Sequence, residues 1–167
     1  VQYQTSDINA NNILMLSGNN INLEASKLNA NNQINLNAQN DVNILALNSE
    51  YYRDTQTTTK GFMSKKTQRD MVYKESVNSS ELNANDIYIT SGNDINLEAV
   101  NINAKNEKIA YAQNSLNILA KTYKEGEVHH TKKSSWGGMI KNEYKLEKDN
   151  LKIKSSEISA NNMILDA

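Results

Sequence analysis

The sequence predicts an all-β chain, a parallel β-helix built from rungs of about 20 residues and interrupted by two hairpin-like insertions. Three observations predict it. The chain repeats itself at an offset of 74 residues, with a shorter period inside each copy. Within the short period, apolar residues alternate with Asn. The apolar supply is small, 38% of the chain, against about 45–50% in an ordinary globular domain. That is hard to spread through a two-layer fold and sufficient for a thin stacked core.

The long repeat is ungapped between the first two copies. Ser6-Asp-Ile-Asn-Ala-Asn-Asn-Ile13 recurs as Ser80-Glu-Leu-Asn-Ala-Asn-Asp-Ile87. Ser17-Gly18-Asn-Asn-Ile-Asn-Leu-Glu-Ala25 recurs as Ser91-Gly92-Asn-Asp-Ile-Asn-Leu-Glu-Ala99, and Val42-Asn-Ile-Leu-Ala46 as Leu116-Asn-Ile-Leu-Ala120. A third copy begins at Ser155-Ser-Glu-Ile-Ser-Ala-Asn-Asn162. This defines cycles at 6–79 and 80–155 and a partial one at 156–167. The shorter period aligns Ile8-Asn-Ala10 with Leu28-Asn-Ala30 and Leu82-Asn-Ala84 with Ile102-Asn-Ala104. Ile21-Asn-Leu-Glu-Ala25 aligns with Val42-Asn-Ile-Leu-Ala46 one residue out of step.

Alternation at period 2 is the signature of a strand with one apolar face. The Ile-x-Leu and Leu-x-Ala triplets are flanked by Asn-Asn, Gly-Asn or Gln-Asn. Asn tolerates the left-handed conformation and bonds its own backbone, so these pairs mark turns. About three short strands then fill each rung. Rungs stacked about 4.8 Å apart place Ile and Leu above one another inside, and let Asn amides bond up and down in ladders at the turns. This accounts for 28 Asn residues. A leucine-rich repeat needs a longer Leu-x-x-Leu-x-Leu consensus than these rungs carry. A calcium-binding roll needs more glycine than the six present.

Pro and Cys are absent, which excludes disulfides and cysteine metal sites. Net charge is −1. No apolar run approaches the roughly 18 residues of a membrane span, and no signal peptide is visible. Val1 already lies in a repeat-like pattern, so the chain reads as one β-helix segment excised from a larger protein.

The rung pattern stops twice, in insertions at about 48–77 and 121–154. Residues 50–76 and 121–154 hold 15 of the 18 basic residues and nine of the 19 acids, a net +6 against −7 for the rest. Seven of the ten aromatics are here: Tyr51, Tyr52, Phe62, Tyr73, Tyr123, Trp136 and Tyr144. The two insertions match: Thr57-Thr-Thr-Lys-Gly61-Phe62-Met63 answers Thr131-Lys-Lys-Ser-Ser-Trp136-Gly-Gly-Met139. Each reads as two antiparallel arms joined at a Gly-aromatic tip.

Together these features resemble a known family. Ser26-x-Leu28-x-Ala30-x-x-x-Ile34, Gly92-x-Asp94-Ile95-x-Leu97 and a Lys/Ser/Thr-rich break ending in Ser79-Ser80 or Ser155-Ser156 resemble the hemagglutinin repeats of filamentous-hemagglutinin-type exoproteins, exported by two-partner secretion. The long period with charged insertions looks most like the second repeat region of contact-dependent growth inhibition effectors and related large adhesins. The resemblance spans essentially the whole chain. It implies a right-handed parallel β-helix displayed outside the outer membrane, handled by an outer-membrane two-partner transporter during export, and serving adhesion or toxin delivery. It supplies no catalytic residues and no cofactor.

Beside the resemblance, the residues offer little chemistry. His129 and His130 are neighbours and face opposite sides of a strand, which favours a solvated pair over a metal site. Ser134 and Ser135 lie near them without an ordering acid or oxyanion loop. Glu24 and Glu98 are equivalent in the two cycles and Asp41 answers Ser115. A carbohydrate-cleaving β-helix would gather such acids on one face, whereas repeated solvent positions need no such role. The candidate partner contacts are Lys60, Phe62, Lys65, Lys66, Arg69, Lys132, Lys133 and Trp136. Lysines beside aromatics suit acidic glycans, lipid headgroups or an outer-membrane protein, and nucleic acid in principle, although none is expected for a surface protein. The simpler reading is that Lys and Thr keep exposed strand edges soluble and unpaired. The leading function is a non-catalytic structural and binding segment of a large secreted surface adhesin. A growth-inhibition effector segment, marked by a toxin domain and immunity gene further along, is the alternative.

Overall fold

Alternation of apolar residues and Asn produces two parallel sheets. In the computed structural model, which describes residues 2–167, the first cycle forms β1 (Ser6–Ser17), β2 (Ile21–Glu24), β3 (Ser26–Ala38) and β4 (Val42–Leu45). The chain then runs through β5 (Leu47–Gly61) and β6 (Ser64–Asn78). The second cycle forms β7 (Glu81–Ser91), β8 (Asp94–Glu98), β9 (Asn101–Ala112) and β10 (Ser115–Leu119), then β11 (Lys121–Ser135) and β12 (Ile140–Lys154). The third begins with β13 (Glu157–Ser159) and β14 (Asn162–Asp166). One sheet runs β1-β3-β7-β9, with β13 and β14 both on β9; the other runs β2-β4-β8-β10. These are stacked rungs, two per cycle, as a β-helix of this repeat requires.

The three strands expected per rung are present in modified form. The first two run as one long strand through a bulged corner. Pairing of β1 with β3 shifts register between Ala10 and Asn12, where Asn31 and Asn32 face Asn11 alone. The rung offset therefore changes from 20 residues at Ser6↔Ser26 to 21 at Asn12↔Gln33 and Ile21↔Val42. This is the one-residue slip visible in the sequence. A slip within a strand would turn every side chain to the wrong face; a bulge at the corner absorbs it.

The interior is a set of aligned apolar rows. Leu28, Leu82 and Ile102 stack in register, as do Leu36, Ile89 and Ala110, and Ile44 with Leu97, and all are buried. Each buried Ile or Leu contributes roughly 1.5–3 kcal/mol. Outside, Asn amides bond between rungs. Asn43 donates to Asn22, Asn96 to Asn43 and Asn117 to Asn96, at 2.8, 2.8 and 2.9 Å. This ladder lies on flat strands, so ladders are not confined to the turns where the sequence places them. At the turns, Asn40 donates to Asn20, Asn93 to Asp41 and Asn114 to Asp94. The acids there serve as ladder acceptors in place of Asn.

Two kinds of corner close the rungs. After β2 and β8 the chain passes to the next rung through Ala25 (φ 44°) and Ala99 (φ 49°), both left-handed. After β4 and β10 it departs instead into the paired arms and returns at a serine. Ser80 accepts from the Ser26 N–H (3.1 Å) and donates to the Leu45 carbonyl (2.8 Å). Ser156 repeats this with Val100 (3.2 Å) and Leu119 (2.8 Å). The recurring Ser-Ser pair is thus a clasp at the point of return.

The arms form a second compact unit, chiefly Ser49–Ser76 and Thr122–Lys152. Strands β5 and β6 meet through the two-residue turn Phe62–Met63 and β11 and β12 through a 3₁₀ turn at Trp136–Gly138. Each hairpin therefore tips at its aromatic, as expected. The two hairpins also pair with each other, which the sequence left open. β6 and β11 run antiparallel from Lys74↔Glu125 to Ser64↔Ser135, giving a four-stranded sheet β5-β6-β11-β12. Among the described residues of this sheet no hydrophobic side chain is buried.

Candidate functional site: the hairpin tips

Register fixes where the candidate residues fall. Ser64 stands opposite Ser135, so both tips lie at one end of the sheet. Lys60 closes β5 next to Gly61, Phe62 is in the first turn and Trp136 in the second. Alternation then splits the lysine doublets between faces. Lys65 and Lys132 share one face; Lys66 and Lys133 share the other and stand directly opposite each other across β6–β11. The doublets are therefore not one continuous patch.

Charges are sorted along the strands. Away from the tips most charges are matched, with Arg53 and Lys124 the cations there that make no ion pair among the described residues. Arg69 forks onto Asp54, with Nε at 3.0 and 3.2 Å and Nη2 at 2.6 Å. These hydrogen bonds hold the Asp54 carboxyl below the usual carboxylate range and raise the guanidinium further. Lys148 pairs with Glu127 at 3.1 Å and Lys152 with Glu125 at 2.5 Å. Tyr73 donates to Glu75 at 2.5 Å, which with partial burial pushes the phenol up to about 12. Lys132 reaches Glu143 at 3.2 Å. Arg69 and Lys132 are thus already engaged, unlike the other candidate cations.

The histidines are engaged too. His129 Nδ1 meets its cross-strand partner Asp70 at 2.8 Å, with Glu127 at 3.5 Å from Nε2. The Asp70 contact raises the imidazole pKa and lowers that of Asp70. His130 Nε2 lies 2.5 Å from Glu143. The pair faces opposite sides as expected, but each ring sits against a carboxylate rather than open solvent. Ser134 is four residues from His130, about 13 Å along a strand, beyond any proton relay. Glu24 and Glu98 flank Leu45 from the rungs on either side, and Glu98 is ion-paired with Lys121. Among the described residues no group of three or more His, Cys, Asp or Glu side chains is placed to hold a metal.

Toward the tips the matching stops. No acid occurs between Asp54 and Asp70 or between Glu127 and Glu143. Among the described residues Lys60, Lys65, Lys66, Lys133 and Lys141 make no ion pair. The opposed Lys66 and Lys133 repel and flank an open depression of about 400 Å³ lined also by Ser64, Ser135, Ile140 and Asn142. Beyond them the turns present apolar side chains to water: Phe62 is 97% exposed, Met139 89% and Trp136 67%, with Met63 and Ile140 exposed beside them. Left-handed backbone at Met63, Trp136, Gly137 and Gly138 fixes the shape of both turns. Met63, Met139, Ile140 and Lys141 were missed from sequence. The match of Gly61-Phe62-Met63 to Trp136-Gly-Gly-Met139 across the two insertions signals the two methionines; Ile140 and Lys141 have no such signal.

Among curated proteins and solved structures nothing matches the chain. A family profile described as hemagglutinin repeat matches residues 1–66 and 61–161. This is a family of secreted, adhesin-type repeats. With its two-rung cycles, Asn ladders and interposed hairpins, the chain belongs to the hemagglutinin repeat family.

Proposed function

We propose that this segment is a non-catalytic spacer and binding element of a large secreted surface adhesin, and that the hairpin tips are its contact surface. The spacer role draws on the apolar rows and side-chain ladders that join successive rungs. The contact role rests on one observation: five of the seven sheet cations without an acid partner among the described residues (Lys60, Lys65, Lys66, Lys133 and Lys141, the others being Arg53 and Lys124) gather at one end of the four-stranded sheet, while most charges elsewhere in it are paired. A surface meant only to stay soluble gains nothing by opposing Lys66 to Lys133. A surface that receives anions does. The partner is accordingly an anionic component of a host or neighbouring-cell surface, and export runs through an outer-membrane two-partner transporter.

The test replaces Lys60, Lys65, Lys66, Lys132 and Lys133 by Glu and measures binding to heparin and to whole cells at low and high salt. Binding by the parent chain should fall as salt rises and should be lost in the variant. Binding that survives the reversal of five charges removes the tips from the function.

A further inference from the structure

Resting on that reading, we propose that the tips dock on one kind of anionic surface, a lipid bilayer, with Phe62, Trp136 and Met139 entering its apolar boundary and Lys66 and Lys133 holding a headgroup phosphate between them.

The arrangement is amphipathic along the strand direction. The outermost side chains are apolar and protrude. Phe62 and Met139 have almost their whole surfaces in water, and they crown turns rather than line a cleft. A glycan chain stacks on the flat wall of a groove and offers nothing that would enclose a projecting phenylalanine or methionine. An apolar phase does. The unpaired lysines come next. Lys65 and Lys66 lie three and four residues after Phe62, about 10 Å along a strand. Interfacial elements sink their apolar side about 5–10 Å into the headgroup and acyl boundary. Apolar tips at that depth leave the lysines level with the phosphates. Their long stems allow the ammonium to adjust while the stem packs on lipid.

Charge complementarity fixes the sign of the lipid. Lys66 and Lys133 face each other and neither pairs with an acidic side chain among the described residues, and Ser64 and Ser135 add hydroxyls to the lining of the depression. A phosphate seated there cancels a repulsion that the free protein carries. The two turns also stand side by side, so the apolar groups of both hairpins reach one plane together.

Trp136 is the only tryptophan in the chain and sits in the tip, so its fluorescence reports its own surroundings. The full chain is titrated with vesicles of phosphatidylcholine alone and of phosphatidylcholine mixed with phosphatidylglycerol, and separately with heparin. The expected result is a blue-shifted Trp136 emission and co-sedimentation with the phosphatidylglycerol vesicles only. Phe62→Ser and Met139→Ser together should weaken this partitioning by tenfold or more, and Lys66→Gln or Lys133→Gln by about fivefold each. Phe62→Leu should retain it. These side chains are exposed, so far-ultraviolet dichroism should be unchanged. Vesicle binding without a blue shift, or indifferent to Phe62 and Met139, overturns insertion. Heparin binding without vesicle binding overturns the lipid assignment and leaves the anionic contact surface standing. Binding to neither overturns both.

Discussion

Lys108 offers the sharpest test of the stack. It stands in the inward row Ile13–Ile34–Ile87–Lys108–Met163. It is 0% exposed, and its Nζ has no hydrogen-bond partner among the described residues. Loss of water disfavours the ammonium and brings the pKa from 10.5 down to about 8. At about 1.4 kcal/mol per pH unit, that gap is about 3 kcal/mol of instability carried by the folded state. The sign depends on which state holds the proton. Below about pH 8 both states are protonated and the cost is complete. Between about 8 and 10.5 the unfolded chain binds the proton more tightly, so stability rises with pH. Above 10.5 both are neutral and the cost is gone. Lys108→Met keeps the volume and copies the residue at the same place in the next rung. It should stabilise the protein by about 3 kcal/mol at neutral pH, a rise in Tm of about 6–12 °C for a chain of this size. Stacked repeats open locally, so hydrogen exchange of the β9 and β14 amides should slow as well. Parent and variant are compared by thermal unfolding at about pH 7 and about pH 11. Equal stability at pH 7, or the same difference at both pH values, would refute the assignment of an unpaired buried amine.

Three other perturbations bear on the remaining elements. Ser80→Ala strips partners from the Ser26 N–H and the Leu45 carbonyl and should cost about 1–3 kcal/mol in urea unfolding; Ser79→Ala removes a hydroxyl that has no partner and should cost nothing. A Cβ on Gly92 would collide with the Gln39 backbone carbonyl, whereas one on Gly18 would meet only the Gln39 side-chain oxygen at 4.0 Å. Gly92→Ala should therefore destabilise by about 1–3 kcal/mol and the equivalent Gly18→Ala hardly at all, read by the same unfolding curves. His129 gains its proton more readily when paired with Asp70, so its support for the β6–β11 seam is complete below its ordinary value of 6.5 and fades as pH rises through the raised folded value. Amide protection of β6 and β11 should fall over that range, and His129→Gln should flatten the profile.

Much of this was legible because it is periodic. Apolar alternation sets the strands, Asn pairs set the corners, and the 74-residue match locates the hairpins and their aromatic tips. The one-residue slip between Ile21 and Val42 was visible, but its cause was not: a corner bulge appears only when Asn31 and Asn32 are set against Asn11. Pairing of the two hairpins was hidden for a different reason. β6 and β11 join residues such as Asp70 and His129 that lie 59 apart in the chain, and amphipathic alternation in each arm says nothing about its neighbour. The charge sorting arises from that pairing and was hidden with it. Lys65-Lys66 looks like a doublet in one dimension and divides between two faces in a strand. Lys108 was readable and was overlooked: in the long repeat it takes the place of Ile34, an inward position, and a charge there breaks the pattern.

The two units are held by different forces, and this bears on how the tips work. The stack has aligned apolar rows and loses little to salt. The four-stranded sheet has no buried hydrophobic side chain among the described residues. Its cohesion comes from backbone ladders and from contacts across the β6–β11 seam. Away from the tips these contacts attract: at the far end Lys74 reaches Glu125 and Glu75 accepts the Lys124 N–H at 2.6 Å, and at mid-seam Asp70 meets His129. At the tip end the opposed pair is Lys66 and Lys133, which repel. The seam is therefore weakest beside the exposed turns. An anion held between the two lysines removes that repulsion, and whatever favours the closed seam must favour the anion to the same degree. Protonation of His129 strengthens the seam at its middle, four residue pairs from Lys66 and Lys133.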